Sequence, residues 1–298
     1  MSYHEPVLLN ESVEGLRIKP GGVYIDATFG GGGHSKEILK RLTSGRLIAF
    51  DKDQNAGRNA LENKRFQLVN MDFRQIEEWL VKNNLHKVDG LLADLGLSSH
   101  QIDTPERGFS TRYDASLDMR MDRSRKLTAA TVVNHYSDKD LRFIFRFYGD
   151  LNNAGSLTRK VVQYRKNHKI ETTGGLKSVL MPLSPKGREN KFFAKVFQAL
   201  RIEVNDELNA LRDLLELSAK VIKKGGRLAV ISYHSAEDRL VKNFIMNGRL
   251  EGELERDIYG NPKRFFNHVN KKPLSPSAKE MERNSRARSA RLRIAEKI

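Results

Sequence analysis

Ile25-Asp26-Ala27-Thr28-Phe29-Gly30-Gly31-Gly32-Gly33-His34-Ser35 joins an apolar run to a helical one through four consecutive glycines. Glycine tolerates φ > 0 and lets a ligand approach where a Cβ would otherwise stand. The helix that follows presents N–H groups with no acceptor inside the helix. In open α/β sheets such a junction, at the carboxyl end of a strand, is where nucleotides bind. Four glycines as a mere linker would be a costly use of chain entropy.

Working outward, short apolar runs recur and each ends near an acid. Residues 23–25 end at Asp26, Arg46–Phe50 at Asp51, Phe66–Val69 near Asp72, and residues 88–93 at Asp94. Helix-like segments at 35–42, 56–63 and 74–84 lie between them. Strands alternating with helices predict βαβ units and a parallel, Rossmann-like sheet, an α/β fold. The pattern stops near Pro105. Up to about Asn205 only helical segments are expected, at 129–136, 138–148, 157–167 and 173–181. The expected organisation is an α/β domain made of 1–104 and 205–298, with an all-helical domain inserted at 105–204. After the insert, 206–223 reads as an amphipathic helix stopped by Lys223-Lys224-Gly225-Gly226. A buried strand at 227–232 and a helix at 236–247 follow, and 252–278 reads as loop.

The chain has 298 residues, no cysteine and a formal net charge of +16. Without cysteine there is no disulfide, no thiolate zinc site and no cysteine nucleophile, which fits a cytoplasmic setting. Neither an apolar run long enough to span a bilayer nor a secretory signal is visible, so no membrane partner is expected. The positive charge favours a polyanionic partner. From Arg256 onward, 12 Lys/Arg face 4 Asp/Glu, and this basic tail reads as a nucleic-acid contact more readily than as a merely solvated end.

The glycine loop does not complete the dinucleotide fingerprint G-x-G-x-x-G: the third glycine position falls on Ser35 or Lys36. A phosphate-cradling G-x-x-x-x-G-K-[ST] is also missing. Asp51 stands about twenty residues past the glycines, where a carboxylate can accept from both ribose hydroxyls. These features point to an adenosine ligand without a pyrophosphate bridge; S-adenosylmethionine fits, and a nicotinamide oxidoreductase does not. Asp72 and Phe73 stand where an adenine ring would lie, although Phe73 is equally at home in a core.

Several further segments carry a specific resemblance. They are His4-Glu5-Pro6-Val7-Leu8-Leu9, Phe29 to Ser35, Asp94-Leu95-Gly96-Leu97-Ser98-Ser99 with Gln101-Ile102-Asp103, Glu106 to Ser110, Leu117 to Asp122, Phe197 to Asn205, Ile231 to Arg239 and Ser285 to Ser289. In this order, over nearly the whole chain, they resemble the bacterial 16S ribosomal RNA cytosine-N4 methyltransferases, the RsmH or MraW group. The resemblance implies a class I methyltransferase sheet and S-adenosyl-L-methionine as cofactor, held by Gly32, Gly33, His34, Asp51, Phe73, Asp94 and Gln101. It also implies action on the 16S ribosomal RNA of the small subunit, with the inserted helices as the substrate domain; a homodimer stands among the expected partners. Two departures are evident. Phe192-Phe193-Ala194-Lys195-Val196 replaces a common His-Pro-Ala-Thr-Arg, and Asp150-Leu151-Asn152-Asn153 replaces a pair of acids after Tyr148-Gly149.

Methyl transfer from a sulfonium is an in-line displacement, so no metal is expected. An aromatic amine is a poor nucleophile, and Asp94 is the expected catalytic group, serving the cofactor's methionine end, the target amine, or both. His234 reads as a structural histidine more readily than as a base. In the insert, Arg142, Phe143, Arg146 and Tyr148 suit base stacking, but a helical Phe/Ile/Phe stripe is more often core. The competing classes are a non-catalytic ribosome-assembly factor and a DNA amino-methyltransferase. The latter usually carries a Pro-Pro-aromatic motif that residues 94–97 lack.

Overall fold

The computed structural model describes residues 6–298, Ser99 through its backbone alone. His4 and Glu5 of the first matching segment lie outside the described residues. The chain divides into two compact units, Met1–Gly96 with Leu208–Ile298, and Leu97–Glu207.

The first unit is built on a seven-stranded sheet. Its strands are β1 (Val23–Asp26), β2 (Arg46–Phe50), β3 (Phe66–Val69), β4 (Val88–Asp94), β5 (Ile222–Ser232), β6 (Phe266–His268) and β7 (Arg291–Lys297), in the order β3-β2-β1-β4-β5-β7-β6. Strands β1 to β5 pair in parallel, and β7 runs antiparallel to both β5 and β6. Alternate residues of each strand feed opposite faces. Tyr24, Leu47, Leu92, Ala229 and Ile231 pack on one side with Val13 of α1 (Leu9–Gly15) and Ile38 and Leu39 of α2 (Gly33–Arg41). Ile25, Ile48, Leu91, Ala93, Leu228 and Val230 pack on the other side. There they meet Ile76 and Leu80 of α3 (Ile76–Lys82) and the Leu211, Leu214 and Phe244 side chains of two long helices described below. Burial on both faces explains why β1, β2 and β4 read as unbroken apolar runs.

The second unit is helical. It contains α4 (Ser99–Asp103), α5 (Ala129–His135), α6 (Asp138–Phe143), α7 (Ala154–Arg165), α8 (Thr173–Leu180) and α9 (Glu189–Asn205). Its core gathers Leu141, Ile144, Phe145, Val161, Leu176, Phe192, Phe193, Phe197 and Leu200. The departure Phe192-Phe193 is thus an apolar pair in that core, with rings 5.1 Å apart. Asn205, 1% exposed, ties the core to a loop by donating to the Met119 carbonyl and accepting from the Met121 N–H. The first unit resumes with α10 (Glu207–Val221, from Leu208), then α11 (Ser235–Asn247) and α12 (Ala278–Arg283).

Four expectations need correction. Residues 56–63 are not an α-helix: Gln54–Asn59 is a short 3-10 turn, capped by Asp53 accepting from the Asn55 N–H. The helix read as 206–223 ends at Val221. Residues 222–226 instead enter β5 through a bulge against Val88 and Gly90, with Gly225 at φ 75° and Lys223 paired to Asp89 at 2.9 Å. The basic end, expected to contact nucleic acid, is in part committed to the fold. β7 lies inside the sheet, Leu292 and Ile294 are buried, and Arg293 (8% exposed) is bidentate to Asp238 of α11 at 2.7 and 3.1 Å. An alternating Arg-Leu-Arg-Ile pattern is what an inner strand needs when one face finds a carboxylate. β6 also falls inside the stretch read as loop, since three residues leave no periodicity to detect.

Candidate active site

The sheet order fixes the place of the site. From β1 the chain builds outward through β2 and β3, then crosses to β4 on the other side of β1. That reversal is a topological switch point, and the crevice beyond the carboxyl ends of β1 and β4 is the ligand position of open α/β sheets. The glycine loop leaves β1 there and Asp94 ends β4 there. The two are joined directly, the Asp94 N–H donating to Thr28 Oγ1 at 2.6 Å.

Each glycine has a different local reason. Gly32 is the N-cap of α2 at φ 73°, and a Cβ on it would come within 2.8 Å of the Phe29 ring. A Cβ on Gly33 would strike Pro6 at 2.1 Å. Gly31 is exposed, and a Cβ there would meet nothing within 4 Å. Gly32 and Gly33 are therefore demanded by the fold itself, and Gly31 leaves open space above the loop. Beneath it, Asp26 (1% exposed) accepts from Ser35 Oγ at 2.7 Å and the Thr28 N–H at 3.1 Å, locking the loop to the start of α2. Burial pushes the Asp26 carboxyl up, against the Ser35 hydrogen bond.

Asp51, just past β2, accepts the Gly30 N–H on one oxygen and the Asp53 N–H on the other, both at 2.8 Å. An ionised carboxylate offers about four lone-pair positions, so roughly two remain for hydroxyl donors. Burial raises this carboxyl to about 6, the two N–H groups pulling against the rise. Phe73 is half-buried in a 3-10 turn, its ring against the core under the sheet. The neighbouring Asp72 is engaged by Arg74, through Nε and Nη2 at 3.1 Å each.

Asp94 is held by more than Thr28. The Tyr233 hydroxyl donates to it, and the Gly96 N–H approaches at 3.4 Å. A Cβ on Gly96 would touch the Tyr233 ring at 2.7 Å, so the loop after β4 closes onto that ring. Burial pushes the Asp94 carboxyl up, with nearby His34, the Tyr233 hydroxyl and Gly96 pulling it back. Burial and the Asp94 charge raise Tyr233 well above its ordinary value, so the phenol keeps its proton and acts as a donor.

His34 is 7% exposed and its ring Nε2 lies 3.0 Å from the Val7 carbonyl. Its ring is buried beside the Asp94 and Asp26 carboxyls. His234 caps α11: Nδ1 accepts from the Glu237 N–H at 3.3 Å, and the Glu237 carboxylate accepts from the His234 N–H at 3.3 Å. That is a capping box, a structural role. Gln101, in the helical unit, closes another, with Oε1 accepting from the Ser98 N–H and its N–H donating to Ser98 Oγ.

The arrangement gathers Gly30 to Gly33, Asp51 and Asp94 around one switch point. It offers hydroxyl acceptors, open space and backbone N–H groups. The residues fit an adenosyl ligand without phosphates.

The model of the MraW methylase family matches residues 1–298. The chain belongs to the MraW methylase family. Relatives in that group are similar end to end. A Ribosomal RNA small subunit methyltransferase H from Cytophaga hutchinsonii is 57% identical over 99% of each chain. The proteins of the same name from Flavobacterium johnsoniae and Bacteroides thetaiotaomicron are 54% and 49% identical, covering 100% of this chain and 99% and 98% of theirs. As a methylase of this family the chain is an S-adenosylmethionine-dependent methyltransferase.

Sequence reasoning missed Thr28, Asp26, Ser35 and Tyr233 as parts of this site. Asp26, Thr28 and Ser35 carried a signal, since all three lie in the quoted stretch. The Tyr233 contact joins residues far apart in the chain, which no local pattern reveals.

Proposed function

We propose that the protein transfers a methyl group from S-adenosylmethionine to the N4 amino group of a cytidine in the 16S ribosomal RNA of the small subunit. The carrying observation is the Asp94–Tyr233 pair set beside the glycine loop. The relatives' names supply the ribosomal substrate, and the resemblance supplies the cytosine N4. Bound S-adenosylmethionine supplies an electrophilic methyl on its sulfonium. Asp51 accepts the ribose hydroxyls with its remaining lone pairs, and Gly31 leaves the loop open to the ligand. Asp94 accepts an N–H of the target amine, drawing the nitrogen lone pair out of the ring and onto the line of displacement. Tyr233 fixes the orientation of that carboxylate by donating to it. Positioning of this kind can supply about 7–11 kcal/mol of barrier reduction. The helical unit, Leu97–Glu207, serves as the substrate-recognition domain, with Gln101 at its entry.

The test is Asp94→Asn. Transfer to small subunits falls by about 100-fold or more while cofactor affinity stays within about threefold. Equal losses in both would place Asp94 on the cofactor alone.

A further inference from the structure

The sequence favoured burial for the aromatic stripe of α6, and the structure places part of it outside. Beyond Phe143 the helix widens into a π-turn, Ile144–Tyr148, closed by the Gly149 N–H donating to the Ile144 carbonyl at 3.2 Å. Ile144 and Phe145 are buried, whereas Phe143 is 46% and Phe147 62% exposed. Their ring centroids are 4.8 Å apart, and Tyr148 abuts Phe143 edge-on at 5.4 Å. Lys139, Arg142 and Arg146 share the exposed side. The carboxylates of this segment are engaged elsewhere: Asp138 faces Arg165, Asp140 accepts from the Ser137 hydroxyl, and Asp150 pairs with Lys195. Arg146 donates only to the neutral Asn152 side chain, at 2.5 Å. Asn152, in the segment that departs from the family pattern, thus gives Arg146 an amide partner.

From this geometry we infer that the α6 face binds single-stranded RNA, Phe143 and Phe147 stacking on unpaired bases and Arg142 and Arg146 meeting the backbone. This rests on the proposed function for its polyanion. The chemistry selects single strands, because stacking needs exposed base faces while cations alone would serve a duplex equally. The π-turn keeps the two rings on a stiff, fully helical support, so little ordering is lost on binding.

Three chains are compared: the wild type, a Phe143→Leu/Phe147→Leu double variant and a Phe143→Trp/Phe147→Trp double variant. The probes are a fluorescein-labelled single-stranded RNA of mixed sequence and the same strand annealed to its complement. The leucine variant, apolar but without π faces, loses about tenfold or more in single-strand affinity and about threefold or less on the duplex. The tryptophan variant retains single-strand affinity. Cofactor affinity and Tm stay unchanged in both. Single-strand affinity held by the leucine variant, or equal losses on both probes, would overturn the inference. So would a wild-type dimer that the leucine variant breaks with RNA affinity intact, which would assign the face to a second copy. Single-strand binding that depends on these rings, in a preparation that transfers no methyl, would support the surface while sinking the reaction.

Discussion

The Asp51 carboxylate bonds the Gly30 and Asp53 N–H groups and, with its carboxyl raised to about 6, lies within reach of ordinary buffers. The folded chain holds this proton after the unfolded chain, near 3.8, has lost it. Stability of the cofactor-free protein therefore falls as pH rises from about 4 to about 6 and then levels. Ribose hydroxyls donate to the carboxylate, so cofactor affinity runs the opposite way. It drops about tenfold per unit below about pH 6 and is flat above. In Asp51→Asn the slope disappears and affinity falls by about 2 kcal/mol, roughly 30-fold. Calorimetric titration across this range reads both; a flat wild-type profile would contradict the ribose role. Tyr233→Phe tests the other carboxylate. Without its donor the Asp94 carboxyl rises further, so the acid limb of the pH–rate profile moves to higher pH while cofactor affinity holds. An unmoved limb would make Tyr233 packing only. At this scale Asp51 and Asp94 were legible because each ends a strand. His34 was legible as a position but not in its orientation, since its Val7 acceptor lies 27 residues away.

The glycine loop separates two demands, one of the fold and one of the ligand. Gly32→Ala places a Cβ at φ 73° and against Phe29, and loses about 2 kcal/mol of stability with a lower Tm. Gly31→Ala meets no neighbour, so stability stays within about 0.5 kcal/mol while cofactor affinity falls. An unaltered Kd in Gly31→Ala would put the ligand elsewhere. In β7, Arg293→Ala leaves the Asp238 carboxylate, held below its usual range despite burial, with Arg291 alone of its two arginines; the expected cost is about 2 kcal/mol in urea unfolding. Replacing both partners with Leu and Met recovers most of it. Strands β1, β2 and β4 could be read because both their faces are buried and their central residues are apolar. β7 could not, because its pairing with Asp238 makes a basic pattern compatible with an inner strand, a compatibility that only the tertiary partner reveals. The 56–63 segment misled because so short an apolar spacing does not sustain an α-helix, and the chain settles into a 3-10 turn instead.

The whole chain carries its charge unevenly in kind. In the first unit, part of the basic excess is structural: Arg293 and Arg291 meet Asp238, and Arg227 meets Glu296. The helical unit has 20 Lys/Arg against 13 Asp/Glu between 97 and 207, and Arg142 and Arg146 have no carboxylate of their own segment to neutralise them. RNA affinity is accordingly expected to fall steeply with salt, by about tenfold or more between low and physiological ionic strength. Among the described residues no helix is long and apolar enough to cross a membrane. The alternation of strands and helices made the sheet predictable. Its order was not, because nothing local says that β4 returns beside β1 or that the last strand inserts between β5 and β6.

The central claim is a specific product, and isotopic methyl transfer reads it. Wild-type protein with methyl-labelled S-adenosylmethionine is offered assembled small subunits, naked 16S ribosomal RNA and DNA, and the products are digested to nucleosides. The account predicts label in N4-methylcytidine from the 16S RNA and none from DNA. Cofactor binding without transfer to any substrate, or label on another position or on DNA alone, would contradict it.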